Sequence, residues 1–328
     1  MARYIFKRLL ATIPFIFLVS LTVFVLIQLP PGDFVTSYAA KASANGETID
    51  PATLDSMRVR YGLDQPMLTQ YFTWISGIIL HGDFGYSFEW QAPVSSLIGE
   101  RMLLTLVLSL LTLAFTWCIA LPIGIYSAVK KYSLGDYVFT LIGFIGLAVP
   151  NFLFGLILMY LAVVYFGQDV TGLFSPEFAN APWSWARVAD LMQHLWIPII
   201  ILGTSSAASL IRIMRANLID QLYQPYVVTA RAKGLKEVTL LLRYPIRLAL
   251  NPFISTLGWI LPHLVSGAVI TSIILNLPTA GPLLYQSLLS QDIYLSGAFL
   301  LLLCLMTVIG TLLSDILLVL VDPRIRFD

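Results

Sequence analysis

Six apolar runs, each near or above the roughly 20 residues that carry a helix across a bilayer, leave this chain little choice of fold. They lie at about Ile13–Leu29, Leu103–Val129, Val138–Phe166, Leu195–Ile213, Phe253–Leu275 and Ser296–Val321. With 58% hydrophobic and 11% charged residues, the chain is far more apolar than a soluble globular domain. The expected fold class is an all-α integral membrane protein with six transmembrane helices. The third run is long and is interrupted at Pro150-Asn151. Two passes need about 40 residues, so one kinked helix is expected there rather than a hairpin.

Charge orients the spans. Of the 19 Lys and Arg residues, fourteen cluster at positions 3–8, 130–131, 212–247 and 324–326, and five (Lys41, Arg58, Arg60, Arg101 and Arg187) fall on the opposite side. Short basic loops stay cytoplasmic, which places both termini and the 212–247 stretch in the cytosol. Each of the seven bases from Arg212 to Arg247 would cost about 2.5–3.5 kcal/mol at the bilayer centre, which excludes a further lipid-facing span there. Three regions follow: an N-terminal tail and first helix (1–29), an external loop (30–100) and a core of five helices (101–328) containing a cytoplasmic loop at 217–252. Arg3, Lys7 and Arg8 ahead of an apolar run, with Ala42-Ser-Ala44 behind it, resemble a cleavable signal. The run exceeds a typical signal core, however, and its removal would leave the termini on opposite sides. Cys118 and Cys304 lie inside expected spans without metal-type spacing, so no zinc site or disulfide framework is expected.

The 30–100 stretch mixes charges with turn formers at Pro30-Pro-Gly-Asp33, Asn45-Gly46 and Gly82-Asp-Phe-Gly85 and reads as a small ordered cap. Tyr71 to Leu80 is too short to span and suits an interfacial or buried helix. A second outer loop, Gly167 to Asp190, carries Pro182, Trp183 and Trp185, aromatics typical of the headgroup region.

The polar, basic segment Tyr226-Val-Val-Thr-Ala-Arg-Ala-Lys-Gly-Leu235, followed by Ala249-Leu-Asn-Pro252, is the feature with most chemistry. Pro225 is acceptable in the first turn of a helix and Gly234 stands where a helix commonly stops, so together they bracket one short helix. At helical spacing Tyr226, Ala230 and Lys233 share a face beside Gly234, and the two small residues would leave a shallow groove for a partner. A solvated basic turn held by lipid phosphates is the plain alternative. The full string resembles the cytoplasmic coupling loop of ATP-binding-cassette importer permeases of the dipeptide/oligopeptide group. Tyr61-Gly-Leu-Asp-Gln-Pro66 and Gly82-Asp-Phe-Gly-Tyr-Ser87 resemble the first external loop of the same group, and Asp322-Pro-Arg-Ile-Arg326 its terminal motif.

That resemblance implies that Tyr226, Thr229, Ala230, Arg231, Lys233, Gly234 and Leu235 couple to an ATPase, with Thr229, Ala230 and Gly234 closest. It also implies a homologous second permease, two ATP-binding subunits, an extracytoplasmic solute-binding protein, membrane lipid as surroundings, no nucleic acid, and residence in the bacterial inner membrane. No Gly-x-x-x-x-Gly-Lys-Ser/Thr loop occurs, so ATP and magnesium belong to partners and the chain carries neither cofactor nor enzymatic activity of its own.

Other residues are weaker pointers. The small-residue run Gly203–Ser209 is read first as helix packing, with a pore-lining face for Ser205, Ser206 and Ser209 as the alternative. His263 beside Pro262 is read as a packed histidine or a path residue. Asp315 and Arg101 are the ionisable groups nearest the membrane. Related permeases usually place a glutamate before Pro-Gly-Leu-Gly after the fifth span, whereas this chain has Ser272 and then Pro278-Thr-Ala-Gly281. Ser272 therefore joins the possible translocation path, and oligosaccharides or opines stand beside peptides as solutes. An ion-coupled secondary transporter would show inverted repeats about a midplane site, and a membrane enzyme a catalytic cluster; the sequence displays neither.

Overall fold

A computed structural model describes the backbone of residues 2–167, 171–179, 181–256 and 269–321; side chains are described from residue 10 onward, without that of residue 166. His263, the middle of the fifth expected span, the Asp322–Arg326 motif and the side chains of Arg3, Lys7 and Arg8 fall outside the described residues. The described chain is almost wholly helical. In order it forms α1 (Ala2–Gln28), α2 (Phe34–Ala44), α3 (Pro51–Tyr61), α4 (Met67–Ser76) continued by a π-turn (Gly77–His81), and the short antiparallel pair β1 (Tyr86–Ser87) and β2 (Ala92–Pro93). Next come α5 (Val94–Val129), α6 (Leu134–Ala148), α7 (Asn151–Phe166), α8 (Trp185–Leu222), α9 (Pro225–Ala232), α10 (Glu237–Arg243) and α11 (Pro245–Ser255). The last three described helices are α12 (Val269–Ile274), α13 (Ala280–Leu289) and α14 (Ile293–Val321).

Among the described residues, four helices are long and apolar enough to cross a membrane: α1, through Leu10–Gln28, and α5, α8 and α14. The third expected span departs from a single kinked helix. It is two helices, α6 and α7, meeting at 101°. Pro150 supplies the reason: its ring pushes Val149 into extended backbone (φ −83°, ψ 121°), and Pro150 is itself extended at the start of α7. Two non-helical residues in a row break the axis where one proline within a continuous helix would only bend it. Each half is roughly 22–24 Å long, short of the ~30 Å hydrocarbon core, so the pair counts as at most one crossing.

The chain divides into two compact units. The first comprises Met1–Thr105 with Thr279–Met306, the second Leu106–Pro278 with Thr307–Asp328. In the first, capping fixes the short helices. Asp33 accepts a hydrogen bond from Thr36 N at 2.7 Å to start α2, and Asp50 precedes Pro51 at the start of α3, which Gly62 ends in left-handed backbone. Helices this short are marginal alone, so burial must hold them. Tyr71 and Trp74 of α4 pack on Phe24, Ile293 and Leu301, and the Tyr71 hydroxyl lies 2.8 Å from Ser20 Oγ.

A carboxylate clamps the same unit. Buried Asp292, just ahead of α14, accepts from Ser87 Oγ (2.6 Å), Phe88 N (3.0 Å) and Leu295 N (3.3 Å). Gly85 permits this docking: its φ is +94°, and a Cβ there would stand 3.0 Å from the Tyr294 ring. The Gly82–Ser87 string is therefore a structural latch between the α1–α5 connection and the α13–α14 corner.

In the second unit α8 is the central element, packed on α6, α7 and α11. Its Leu210, Met214 and Leu218 share a core with Ala120 and Ala128 of α5 and with Ile246, Ala249 and Phe253 of α11. The connection before α8 is ordered by Arg187, whose guanidinium lies between Phe174 and Trp183 at 4.6 and 4.5 Å and donates to Ala181 O at 2.6 Å.

Candidate functional site

The segment singled out by sequence is helix α9. Pro225 occupies the first turn, where its missing N–H is no loss, and Gly234 lies beyond the end at φ +77°. The close is a Schellman motif: Gly234 N donates to Arg231 O at 3.0 Å, Leu235 N donates to Ala230 O at 3.4 Å, and Leu235 packs with Ala230. Glycine is needed at 234 for the backbone alone, because nothing lies within 4 Å of the position a Cβ would take.

Eight residues do not make a stable free helix. Burial of Val227 and Ala230 against Leu240 of α10 supplies what propensity lacks, with Tyr226, Leu235, Leu241 and Tyr244 around them. Fully burying side chains such as Val227 and Leu240 contributes about 1.5–3 kcal/mol each. Tyr226 also donates from its hydroxyl to Gln221 Oε1 at 2.7 Å, tying α9 back to the end of α8.

This packing corrects the expected groove. Ala230 does not line an open surface beside Lys233; at 7% exposure it faces α10. The free face of α9 instead presents Val228, Thr229, Ala232, Lys233 and Gly234, all exposed. The 3.6-residue period put Tyr226 and Ala230 together, and both pack toward α10, but it also assigned Lys233 and Gly234 to that face, and these are exposed. Arg231 lies at the rim and makes two bonds to Glu237, 2.6 Å and 3.2 Å, whose Arg231 hydrogen bonds hold the Glu237 carboxyl below the usual carboxylate range.

Beneath this small face the structure is continuous with long helices. Ile246, Ala249 and Phe253 of α11 pack on α8, and Arg247 donates from Nε to Val321 O at the end of α14, while Ser314 Oγ donates to Ile254 O at 3.0 Å. Asp136, at the start of α6 and 2% exposed, accepts two 2.8 Å bonds from Arg215 Nε and the terminal guanidinium nitrogen, and a third from Tyr132 N at 2.9 Å. Sequence reasoning passed over Asp136, Arg247 and Glu237. The available signal was an acid and a base just beyond the ends of two apolar runs, but their pairing spans 79 positions.

The possible path residues are dispersed. Ser205, Ser206 and Ser209 are half-buried on α8, with Ser206 Oγ donating to Leu202 O at 3.4 Å. Gly203 of the same run is a contact point, since a Cβ there would lie 2.5 Å from Phe115 Cδ1, in keeping with packing as the use of this stretch. Ser272 is 2% exposed on α12. Asp315 and Arg101 are half-buried.

Comparison with known proteins accounts for nearly the whole chain. A family model described as "Binding-protein-dependent transport system inner membrane component" matches residues 120–327, and a model for the N-terminal part of such membrane components matches residues 1–109. The oligopeptide transport system permease protein AppB of Bacillus subtilis is 36% identical over 328 residues, covering all of both chains. A putative peptide permease protein of Brucella ovis is 31% identical over 328 residues, with 99% of each covered. The glutathione transport system permease protein GsiC of Escherichia coli is 31% identical over 327 residues, with all of both chains covered. The chain therefore belongs to the binding-protein-dependent transport system inner membrane components, the membrane subunits of ATP-binding-cassette importers.

Proposed function

We propose that this chain is one of two homologous permease subunits of an importer of peptides or similar small solutes, driven by two ATPase subunits that bind ATP and magnesium and dock on α9. The observation that carries this reading is the construction of α9 itself. One face is locked to α10 and through α11 to α8, while the other is small, exposed and closed by a glycine with empty space beyond it. A partner pressing on that face would displace α11 and α8 together, because Phe253, Ala249 and Ile246 share the α8 core. The Asp136–Arg215 pair would carry the displacement to α6.

Six crossings with both termini in the cytosol fit the charge pattern. Lys130 and Lys131 precede α6, and the bases from Arg212 onward follow the apolar part of α8. For both groups to lie on the cytosolic side the chain must cross an even number of times between them, which the α6–α7 pair and α8 satisfy as one crossing each. Peptides lead as the solute class because the relatives named above handle oligopeptides, peptides and glutathione. The exchange of an acid for Ser272 weighs little against this, since that residue is buried. The soluble binding protein delivers solute from the outer side, next to residues 30–100.

Reconstitution tests the reading. Uptake into proteoliposomes should require ATP, both permeases, the ATPases and the binding protein. Accumulation of solute by this chain alone under a proton or sodium gradient would instead establish a secondary transporter.

A further inference from the structure

The two strings that resemble the first external loop of peptide-type permeases meet in space at an open concavity of about 580 Å³ lined by Arg60, Tyr61, Tyr86, Phe88, Gln91 and Tyr294. Its walls are fixed. Tyr61 stacks on Phe88 with ring centres 4.2 Å apart, and Phe88 meets Tyr294 edge-on at 5.3 Å. The Ser87–Asp292 latch and Gly85 hold Tyr86 and Tyr294 beside one another.

The lining is rich in unused donors. Among the bases of residues 30–100, Lys41 pairs with Glu89, and Arg58 pairs with Asp33 at 2.9 Å and Asp55 at 3.2 Å. Arg60 is exposed and has no acidic partner among the described residues, and the hydroxyls of Tyr61, Tyr86 and Tyr294 make no hydrogen bond among them. A guanidinium and three phenols around one hollow make a receptor for a carboxylate with apolar flanks.

We propose that this hollow receives an acidic side chain of the soluble binding protein and is a docking point for it. The assignment rests on the importer reading above, which puts residues 30–100 on the outer face. A protein-borne carboxylate is favoured over a free anion by magnitude. One exposed ion pair gains little on its own, so a free carboxylate would not be retained. A carboxylate within a docked protein face also covers the rings of Tyr61, Tyr86 and Tyr294, and tyrosine and arginine are the residues that dominate such interfaces.

The test uses the complete importer in nanodiscs, immobilised, with purified binding protein as analyte and basal ATP hydrolysis read in parallel. Arg60→Glu should weaken binding-protein affinity roughly tenfold or more and flatten its dependence on salt. Arg60→Lys should recover part of the loss, and Tyr86→Phe, which removes a hydroxyl while keeping the ring, should weaken binding less. Basal ATP hydrolysis, which reports assembly through α9, should be unchanged in all three, so the docking site and the importer reading can fail separately. Equal affinity of the wild-type and Arg60→Glu complexes for the binding protein, with normal basal hydrolysis, overturns the proposal. So does retention of a radiolabelled tetrapeptide by the complex without binding protein, abolished by Arg60→Glu, which would assign the hollow to free solute.

Discussion

Substituting Gly234 by aspartate separates what α9 needs in order to fold from what it needs in order to be recognised. Placing a non-glycine residue at φ +77° costs about 1–2 kcal/mol, with aspartate among the better tolerated residues there. A negative charge just past a helix C-terminus adds about 0.3–1 kcal/mol. The total of about 1.3–3 kcal/mol is local and smaller than the ~5–15 kcal/mol that typically stabilises a domain. No clash augments it, because the new side chain enters open space. The permease should therefore insert and survive purification, while a partner seated against Gly234 would meet a carboxylate that it did not evolve to face. Membrane yield, ATPase co-purification and ATP-dependent uptake should diverge: near-normal yield, weakened co-purification and lost uptake. Gly46→Asp is the matched control, with φ +83° and equally empty surroundings in the α1–α5 connection. It should leave ATPase co-purification intact. Normal co-purification and uptake in Gly234→Asp would show that no partner approaches this end of α9.

Ala230→Glu should behave differently from Gly234→Asp, because it buries an unpaired charge against Val227 and Leu240; a cost of roughly 3–5 kcal/mol should melt the α9–α10 pair, seen as new protease cleavage between residues 225 and 243. Arg215→Met strands the buried Asp136 carboxylate and should lower the detergent melting temperature markedly, whereas Arg215→Met with Asp136→Asn should recover much of it; equal losses in the two would deny the pair. Glu237 has a folded pKa below its unfolded value, so its contribution to α9–α10 is complete above the ordinary glutamate value of about 4.3 and is lost as pH falls through the folded value. Amide exchange across α9 at pH 7 should therefore rise in Glu237→Gln, and intrinsic exchange-corrected protection in wild type should not change between about pH 6 and 8. Cysteines at Ser43 and Lys236, in a background lacking Cys118 and Cys304, should react with an impermeant maleimide from opposite faces; reaction from one face would refute the crossing count.

Several parts of this architecture were legible in the sequence, for reasons that differ from residue to residue. Pro225 and Gly234 marked the ends of α9 because each has backbone requirements that few other residues share. The same logic flagged Pro150 but could not size its effect. A proline within a run predicts a bend, and whether Val149 and Pro150 both leave the helix depends on tertiary packing. The direction of Ala230 was hidden for a related reason: in an eight-residue helix with Val227 and Val228 adjacent, two faces are plausible cores, and only the arrival of Leu240 decides between them. Least readable were the long-range pairs. Ser87 with Asp292 is separated by 205 positions, and Asp136 with Arg215 by 79.

Those hidden pairs give the visible motifs their mechanical meaning. The Asp136 carboxylate, buried and bonded by Arg215, joins the start of α6 to the part of α8 that continues toward α9. Arg247, in the helix that follows α10, caps the carbonyl end of α14, and Ser314 of α14 returns a bond to Ile254. Every element bearing on α9 is thus tied by a directional bond or close packing to a long apolar helix. A short helix carried on a flexible loop could bind a partner without moving the membrane segments. One fastened in this way must transmit force as well as contact, because displacing α9 without α10 would expose Val227 and Leu240 to water, and displacing it without α8 would break the Tyr226–Gln221 bond. Recognition therefore rests on the exposed face of α9 and coupling on its buried one. A variant that loosens Leu240, such as Leu240→Ala, should keep ATPase binding through the exposed face of α9 while uncoupling ATP hydrolysis from uptake, and parallel loss of both would show that the exposed face does not persist without the packing beneath it.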